Sequence, residues 1–350
     1  MVSVRASPNR VHKLYSTPSK TINRSSHGNG DIEAPLLSRA WVFQERHLAP
    51  RTLHFYPSEL VMECRAGLRC EGTGLDTFAT NPLRNFDDLS FTSWFGVVEE
   101  FSRLRLTYQS DRLQALKGVA EVFREKLRCE YLSGVWGGDV AKGLLWNFTR
   151  YESYNPSSSS SSATKRQGKD VAPTWSWASM VLADGNRIFF AAGDDESFVA
   201  DEGFGFLFTD PLLKSTESDL GSGSGANCVK SAFASAIACS AAGVDGQKQG
   251  VLLIFDTDID DMVLITIIHM KMDDSPEFEK SNTSREVSCL IVGSTIEKDW
   301  ETDQQTRYFC MLALQPSPEI PGAWERIGIL DVREDVGLHQ DLEEKIFKLI

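Results

Sequence analysis

The sequence lacks any hydrophobic run long enough to cross a membrane as a helix. Its two longest apolar runs, at 251–255 and 262–268, are far shorter than the roughly 20 residues that a spanning helix needs, and aspartates separate them. Basic residues are also scarce, because 36 Lys and Arg stand against 49 Asp and Glu for a net charge of −13. Such a surface repels phosphate groups, so the composition predicts neither a nucleic-acid partner nor a membrane partner.

Paired cysteines and nucleotide-binding motifs are absent as well. The seven cysteines form no C-x-x-C pair, which is typical of a reducing, cytoplasmic compartment. No P-loop, G-x-G-x-x-G fingerprint or serine nucleophile elbow occurs. The spacing of His47, His54, Cys64 and Cys70 matches no familiar zinc finger, and the acidic run at 256–261 lacks the glycine of a calcium loop. We therefore predict no metal and no cofactor.

Residues 36–64 carry the most informative pattern that is present. Helical spacing relates Leu37, Ala40, Trp41, Gln44 and Leu48. The spacing predicts an amphipathic helix with Trp41 buried, Ser38 as its N-cap and Pro50 ending it. Short strands are expected at 52–55 and 60–62, on either side of a Pro57-Ser58 turn.

This helix and hairpin, followed by Glu63 and Cys64, resemble the closing segment of the fungal heterokaryon-incompatibility (HET) domain. Three later blocks, at 94–123, 131–146 and 172–179, resemble in the same order the segments that follow that domain in many fungal proteins. The motif positions are Arg39, Trp41, Gln44, Glu45, Arg51, Glu63, Cys64, Trp175 and Trp177. Residues 1–35 do not resemble the start of a HET domain, so the resemblance predicts a member in which most of that domain is missing.

The resemblance implies a role in fungal non-self recognition and cell-death signalling, through protein partners and without catalysis. One alternative is NAD cleavage, because the HET domain is thought to be similar in shape to TIR domains, some of which cleave NAD. Glu45 is then the candidate catalytic acid, since a carboxylate beside an aromatic ring can stabilise a positive ribosyl carbon. Otherwise Gln44 and Glu45 bind backbone groups of the adjoining strands and pair with Arg51. A third alternative is an inert product of a shortened gene.

The chain as a whole is predicted to be α+β. An untypical, disordered leader at 1–32 precedes the HET remnant at 33–75, a three-helix region at 90–150, a disordered Ser-rich loop at 151–170 and an antiparallel β-rich region at 171–350. Strands are predicted at 187–190, 251–255, 262–270, 287–292, 308–314 and 325–330. Trp175 and Trp177 alternate along an extended segment, so we expect one to pack on the helices and the other on the sheet.

Overall fold

The computed structural model describes residues 35–56, 60–65, 67–71, 89–148, 165–167, 171–182, 186–193, 195–208, 227–241, 250–255, 271–272, 285–298, 303–334 and 342–350. The fold is α+β, as predicted. It divides into two compact units, Met1–Arg128 and Cys129–Ile350, called here the N-terminal and C-terminal units. The boundary between them falls inside the segment predicted as one helical region, 90–150.

Short helices are concentrated before residue 145, and strands dominate the rest of the chain. The α-helices of the described residues are α1 (Ala40–Leu48), α2 (Phe91–Phe101), α3 (Lys117–Leu127) and α4 (Val140–Leu144). The strands are β1 (Arg51–Phe55), β2 (Leu60–Cys64), β3 (Gly67–Cys70), β4 (Tyr131–Leu132), β5 (Val135–Trp136), β6 (Trp146–Phe148), β7 (Lys165–Arg166), β8 (Met180–Val181), β9 (Ile188–Phe190), β10 (Val199–Ala200), β11 (Gly205–Phe208), β12 (Asn227–Ala241), β13 (Gly250–Phe255), β14 (Lys271–Met272), β15 (Arg285–Lys298), β16 (Gln305–Pro316), β17 (Ala323–Arg333) and β18 (Glu343–Leu349).

Helix α1 begins with a backbone bridge in place of the predicted serine cap. Ser38 ends a 3-10 turn, and Arg39 is the N-cap without a side-chain hydrogen bond. The Ala40 N–H donates to the Arg105 carbonyl at 3.0 Å, and the Arg105 N–H donates to the Ser38 carbonyl at 2.7 Å. This bridge satisfies an N–H that would otherwise need a cap. At the other end, Ala49 before Pro50 is extended with ψ 125°, as predicted.

The buried face of α1 differs from the predicted apolar stripe. Its buried residues are Ala40, Phe43, Arg46 and His47. Trp41, which we predicted to be buried, has 41% of its surface exposed. Phe43 takes the inner position, with its ring centre 5.6 Å from that of Phe101, and Arg46 lies inside because it meets a carboxylate there. Apolar spacing alone could not indicate that an arginine lies on the inner side.

Strands β1, β2 and β3 form an antiparallel sheet in the N-terminal unit. The predicted hairpin strands are confirmed, and β3 was not predicted. The register places Thr52 opposite Glu63 and His54 opposite Val61, so these four side chains share one face. Val61 and Glu63 are buried, so this is the inner face of the sheet.

Two of the three helices predicted within 90–150 form in the N-terminal unit as α2 and α3, and α3 buries Val119 and Phe123. Ser90 and Ser93 form a capping box at the start of α2, where Trp94 and Phe101 are buried. The third predicted helix is short and consists of α4 alone. The chain then becomes β6, which pairs with β9, because ladder pairing of buried aromatic residues overrides a short helical pattern.

A nine-stranded sheet dominates the C-terminal unit. Seven strands follow the path β10-β15-β16-β17-β18-β12-β11, while β13 pairs with β12 and β14 with β17. Because β12 also pairs with β15, β12, β15, β16, β17 and β18 close into a ring. The closure depends on β12, whose first half pairs with β18 and whose second half pairs with β15. Most pairs are antiparallel, as predicted, and β17–β18 is parallel over two residue pairs. The strand predicted at 262–270 lies outside the described part of the chain, and so do the leader predicted at 1–32 and, apart from 165–167, the loop predicted at 151–170.

Candidate functional site

A buried charged cluster lies between α1 and the sheet of the N-terminal unit. Arg46 comes from the inner face of α1, Glu63 from β2 and His54 from β1. Arg46 is 7% exposed and Glu63 is 3% exposed, while His54 is half-buried. Charged side chains are rarely buried to this degree unless they are paired. We call these three residues the Arg46 cluster.

The geometry of the Arg46 cluster engages both carboxylate oxygens of Glu63. Arg46 Nε donates to Glu63 Oε2 at 2.8 Å, and Arg46 Nη2 donates to Glu63 Oε1 at 2.8 Å. A ring nitrogen of His54, Nε2, lies 2.8 Å from Glu63 Oε2. Because guanidinium and carboxylate are both planar, this bidentate contact fixes their relative orientation as well as their distance.

The electrostatics of the cluster keep Arg46 charged. Burial acts to lower the pKa of Arg46, but the hydrogen bond and negative charge of Glu63 outweigh it, and that pKa lies above its ordinary value. Glu100, on α2, lies near Arg46, and burial raises the pKa of its carboxyl group although Arg46 and Arg103 oppose that rise. A small pocket beside the cluster is lined by Leu37, Val42, Phe43, Arg46, Glu100 and Leu104.

The structure separates Glu45, the sequence-based catalytic candidate, from the Arg46 cluster. Glu45 is exposed on α1, and so are Arg39 at the helix start and Arg51 at the start of β1. Glu63, given by the sequence only as a motif position, is the carboxylate that pairs with an arginine. Sequence reasoning missed Arg46 and His54 as its partners. The signal that indicates them is the hairpin register, which puts His54 and Glu63 on the same face.

Gln44 joins α1 to α3. Its side-chain oxygen Oε1 accepts a hydrogen bond from the Gly118 backbone N–H at 2.5 Å. The amide therefore binds a backbone group, as expected, although on a helix and not on the strands. A Cβ at Gly118 would lie 2.8 Å from Gln44 Oε1 and 2.8 Å from Leu48 Cδ1. Glycine at position 118 therefore leaves room for the Gln44 amide and the Leu48 side chain against α3.

We predict that Gly118→Ala destabilises the N-terminal unit by about 1 kcal/mol, since the added methyl must displace the Gln44 amide and break its hydrogen bond to the residue 118 N–H. Hydrogen exchange of the α3 amides should speed up accordingly. Gly137→Ala is the control, because the nearest atom to its added Cβ would be the Glu130 carbonyl oxygen at 3.5 Å, which is an ordinary contact. Equal exchange in the wild type and Gly118→Ala would contradict the packing argument.

Two other motif positions in the N-terminal unit lie outside the Arg46 cluster. Trp41 Nε1 donates to Asp111 Oδ2 at 3.3 Å on the surface. Cys64 ends β2 as a half-buried free thiol. Neither side chain contributes to a buried reactive centre.

In the C-terminal unit, the two motif tryptophans are core residues. The predicted extended conformation was wrong, because Trp177–Ser179 form a 3-10 turn. Both rings are buried, as expected for residues that pack in a core. Trp177 Nε1 donates to the Gly134 carbonyl at 2.9 Å, in the β4–β5 hairpin. Trp175 packs edge-on against Phe206, with ring centres 5.6 Å apart. These contacts indicate packing and leave no open aromatic face for a ligand.

Two arginines fix the backbone around this tryptophan segment. Arg166 donates to the carbonyls of Thr174 at 2.7 Å and Arg326 at 2.9 Å. The buried guanidinium of Arg326 lies over the Trp146 ring, 3.4 Å from its centre, and donates to the Trp146 carbonyl at 2.5 Å. Strand β17 is thereby attached to β6 through a stacked arginine.

The described residues contain neither a cluster suited to a metal ion nor a helix suited to spanning a membrane. Within the described ranges, no group of three or more His, Cys, Asp or Glu side chains is placed to hold a metal ion. No helix in the described part of the chain is long and apolar enough to cross a membrane. Comparison of the chain with protein-family models, curated proteins and solved structures found no match.

Proposed function

We propose that this chain is a HET-family protein that acts in fungal non-self recognition and cell-death signalling. In this proposal it works in the cytoplasm, through protein partners and without catalysis of its own. The motif that resembles the HET domain supports the family. Four cysteines in the described part of the chain, Cys64, Cys129, Cys289 and Cys310, are free thiols, which is consistent with a reducing compartment.

The observation that best supports a non-enzymatic role is the engagement of Glu63. A carboxylate that stabilises a ribosyl carbon must face the substrate with a free oxygen. Arg46 occupies both oxygens of Glu63, and His54 shares one of them. Glu45 is exposed to solvent, where its charge is screened by water and salt. The two carboxylates of the motif are therefore better suited to structure and surface contact than to bond cleavage.

The test is inducible expression in a filamentous fungus, with hyphal viability as the readout, alongside a nicotinamide-release assay on the purified protein. We expect loss of viability on induction, the same loss with Glu45→Gln, and no nicotinamide release from NAD. Glu45→Gln is a suitable variant because the side chain is exposed and its replacement leaves the core unchanged.

Unchanged viability on induction would favour the inert product. Nicotinamide release that Glu45→Gln abolishes would establish the NAD-cleaving alternative and overturn the proposal.

A further inference from the structure

The outer face of the β1–β2 hairpin is apolar and exposed. Leu53 and Phe55 on β1 are 54% and 83% exposed. Across the ladder they lie opposite Met62 and Leu60, which are half-buried, so the four side chains form one contiguous patch on the face opposite to the Arg46 cluster. Scattered apolar residues on a surface are normal, but a contiguous patch marks an interaction site.

The same hairpin offers an open backbone edge. The sheet order is β1-β2-β3, so within the described residues β1 pairs with β2 alone. Every second N–H and C=O group along Arg51–Phe55 therefore points away from the sheet. Soluble proteins usually protect such an edge with charges, prolines or a covering segment, because an incoming strand can pair with it.

The charge beside this edge is positive. Arg51 is exposed and shares the outer face with Leu53 and Phe55, and its cross-strand neighbour is Cys64, which offers no carboxylate. The carboxylate of Glu63 on β2 points to the inner face and pairs with Arg46, and the exposed Glu71 follows β3 on the far side of β2. An incoming strand would therefore meet an arginine that prefers a carboxylate opposite it.

We infer that the β1 edge and its outer face dock an extended segment of a partner protein that carries apolar residues and an acidic residue at every second position, so that they share one face. The backbone of that segment pairs with β1, its apolar side chains cover Leu53 and Phe55, and an acidic side chain lies beside Arg51. A second copy of this chain fits less well, because its β1, Arg51–Phe55, brings no carboxylate to pair with Arg51. The inference deepens the partner-binding role proposed above by giving the chemistry of the partner.

The test uses two short, acetylated, fluorescein-labelled peptides, ETVTVTE and KTVTVTK, in which the valines and the charged residues share one face of the extended peptide and threonines occupy the other. By fluorescence anisotropy with the full chain, we expect the glutamate peptide to bind roughly fivefold or more tightly than the lysine peptide. Hydrogen exchange should slow at 51–55 when the glutamate peptide is bound. Arg51→Glu should reverse the preference between the peptides, and Phe55→Lys should weaken binding of both.

Leu36→Lys is the matched control, because Leu36 is 62% exposed on the same unit but lies in the 3-10 turn before α1 and not in the hairpin, and it should leave binding unchanged. Four results would overturn the inference: no binding of either peptide; binding that Arg51→Glu does not alter; a dimer of the free chain that Phe55→Lys dissociates; or protection of 51–55 in the free monomer. The last two would assign the edge to a second copy and to this chain itself. Peptide binding and hyphal viability are separate measurements, so either can fail while the other holds.

Discussion

Replacing Arg46 by methionine is expected to destabilise the N-terminal unit by about 3–5 kcal/mol, because it leaves the buried Glu63 carboxylate without its cation. That is a large share of the ~5–15 kcal/mol that holds a typical domain folded. Hydrogen exchange over residues 91–127 measures the loss in this unit alone. Arg51→Met is the matched control, and since Arg51 is exposed we expect it to change stability by less than about 0.5 kcal/mol.

A double-mutant cycle separates the ion pair from simple loss of packing. If Arg46 and Glu63 act through each other, Arg46→Met combined with Glu63→Met should cost clearly less than the sum of the two single changes. The contact of His54 with Glu63 is lost both in Glu63→Met and in the double variant, so its contribution partly cancels from the coupling energy between Arg46 and Glu63. Strictly additive losses would show that the 2.8 Å contacts contribute little beyond packing.

The sequence predicts the elements of the N-terminal unit better than it predicts their orientation. Pro50 and the strand-like runs after it are local signals, so the end of α1 and the β1–β2 hairpin could be derived. The rotation of α1 could not, because the position of Trp41 depends on what the opposite side of the helix meets. The ion pair between Arg46 and the buried Glu63 carboxylate sets the rotation of α1, although the apolar spacing alone would place Trp41 inside.

The sequence-based strand prediction missed β12, a strand of 15 residues that closes the ring in the C-terminal unit. Its composition is mainly Ala and Ser with few β-branched residues, so its intrinsic strand preference is weak. The strand exists because it pairs with β15 and β18, which come later in the chain. Long-range pairing of this kind leaves no local pattern. Strands β15, β16 and β17, which are rich in β-branched and apolar residues, were predicted for the opposite reason.

The sequence also could not show which polar side chains of the candidate site meet in the folded protein. Glu45 is predicted from the sequence because it lies four residues after Trp41 on the same helical face, but the structure leaves both side chains exposed. Glu63 and His54 are nine positions apart and meet because the hairpin register brings them to one face. The hairpin register brings these polar residues into one cluster, and the turn residues that determine the register carry only a weak sequence signal.

The second large effect is expected for Trp177→Ala, which should destabilise the C-terminal unit by about 3–5 kcal/mol. The ring is fully buried, and its Nε1 donates to the carbonyl of Gly134, whose φ is +99°. The truncation therefore removes packing and leaves a buried acceptor without its donor. For a unit of this size the thermal midpoint should fall by roughly 2–4 °C per kcal/mol.

Two companion variants make this prediction specific. Trp177→Phe keeps most of the packing and loses the hydrogen bond, so we expect it to cost about 1–3 kcal/mol, less than Trp177→Ala. Trp41→Ala removes the same side chain from a position that is 41% exposed and whose hydrogen bond to Asp111 lies on the surface, so it should cost much less than Trp177→Ala. Calorimetry of the three variants gives the order directly. If Trp41→Ala proved as costly as Trp177→Ala, Trp41 would have to be buried after all, and the orientation of α1 described above would be wrong.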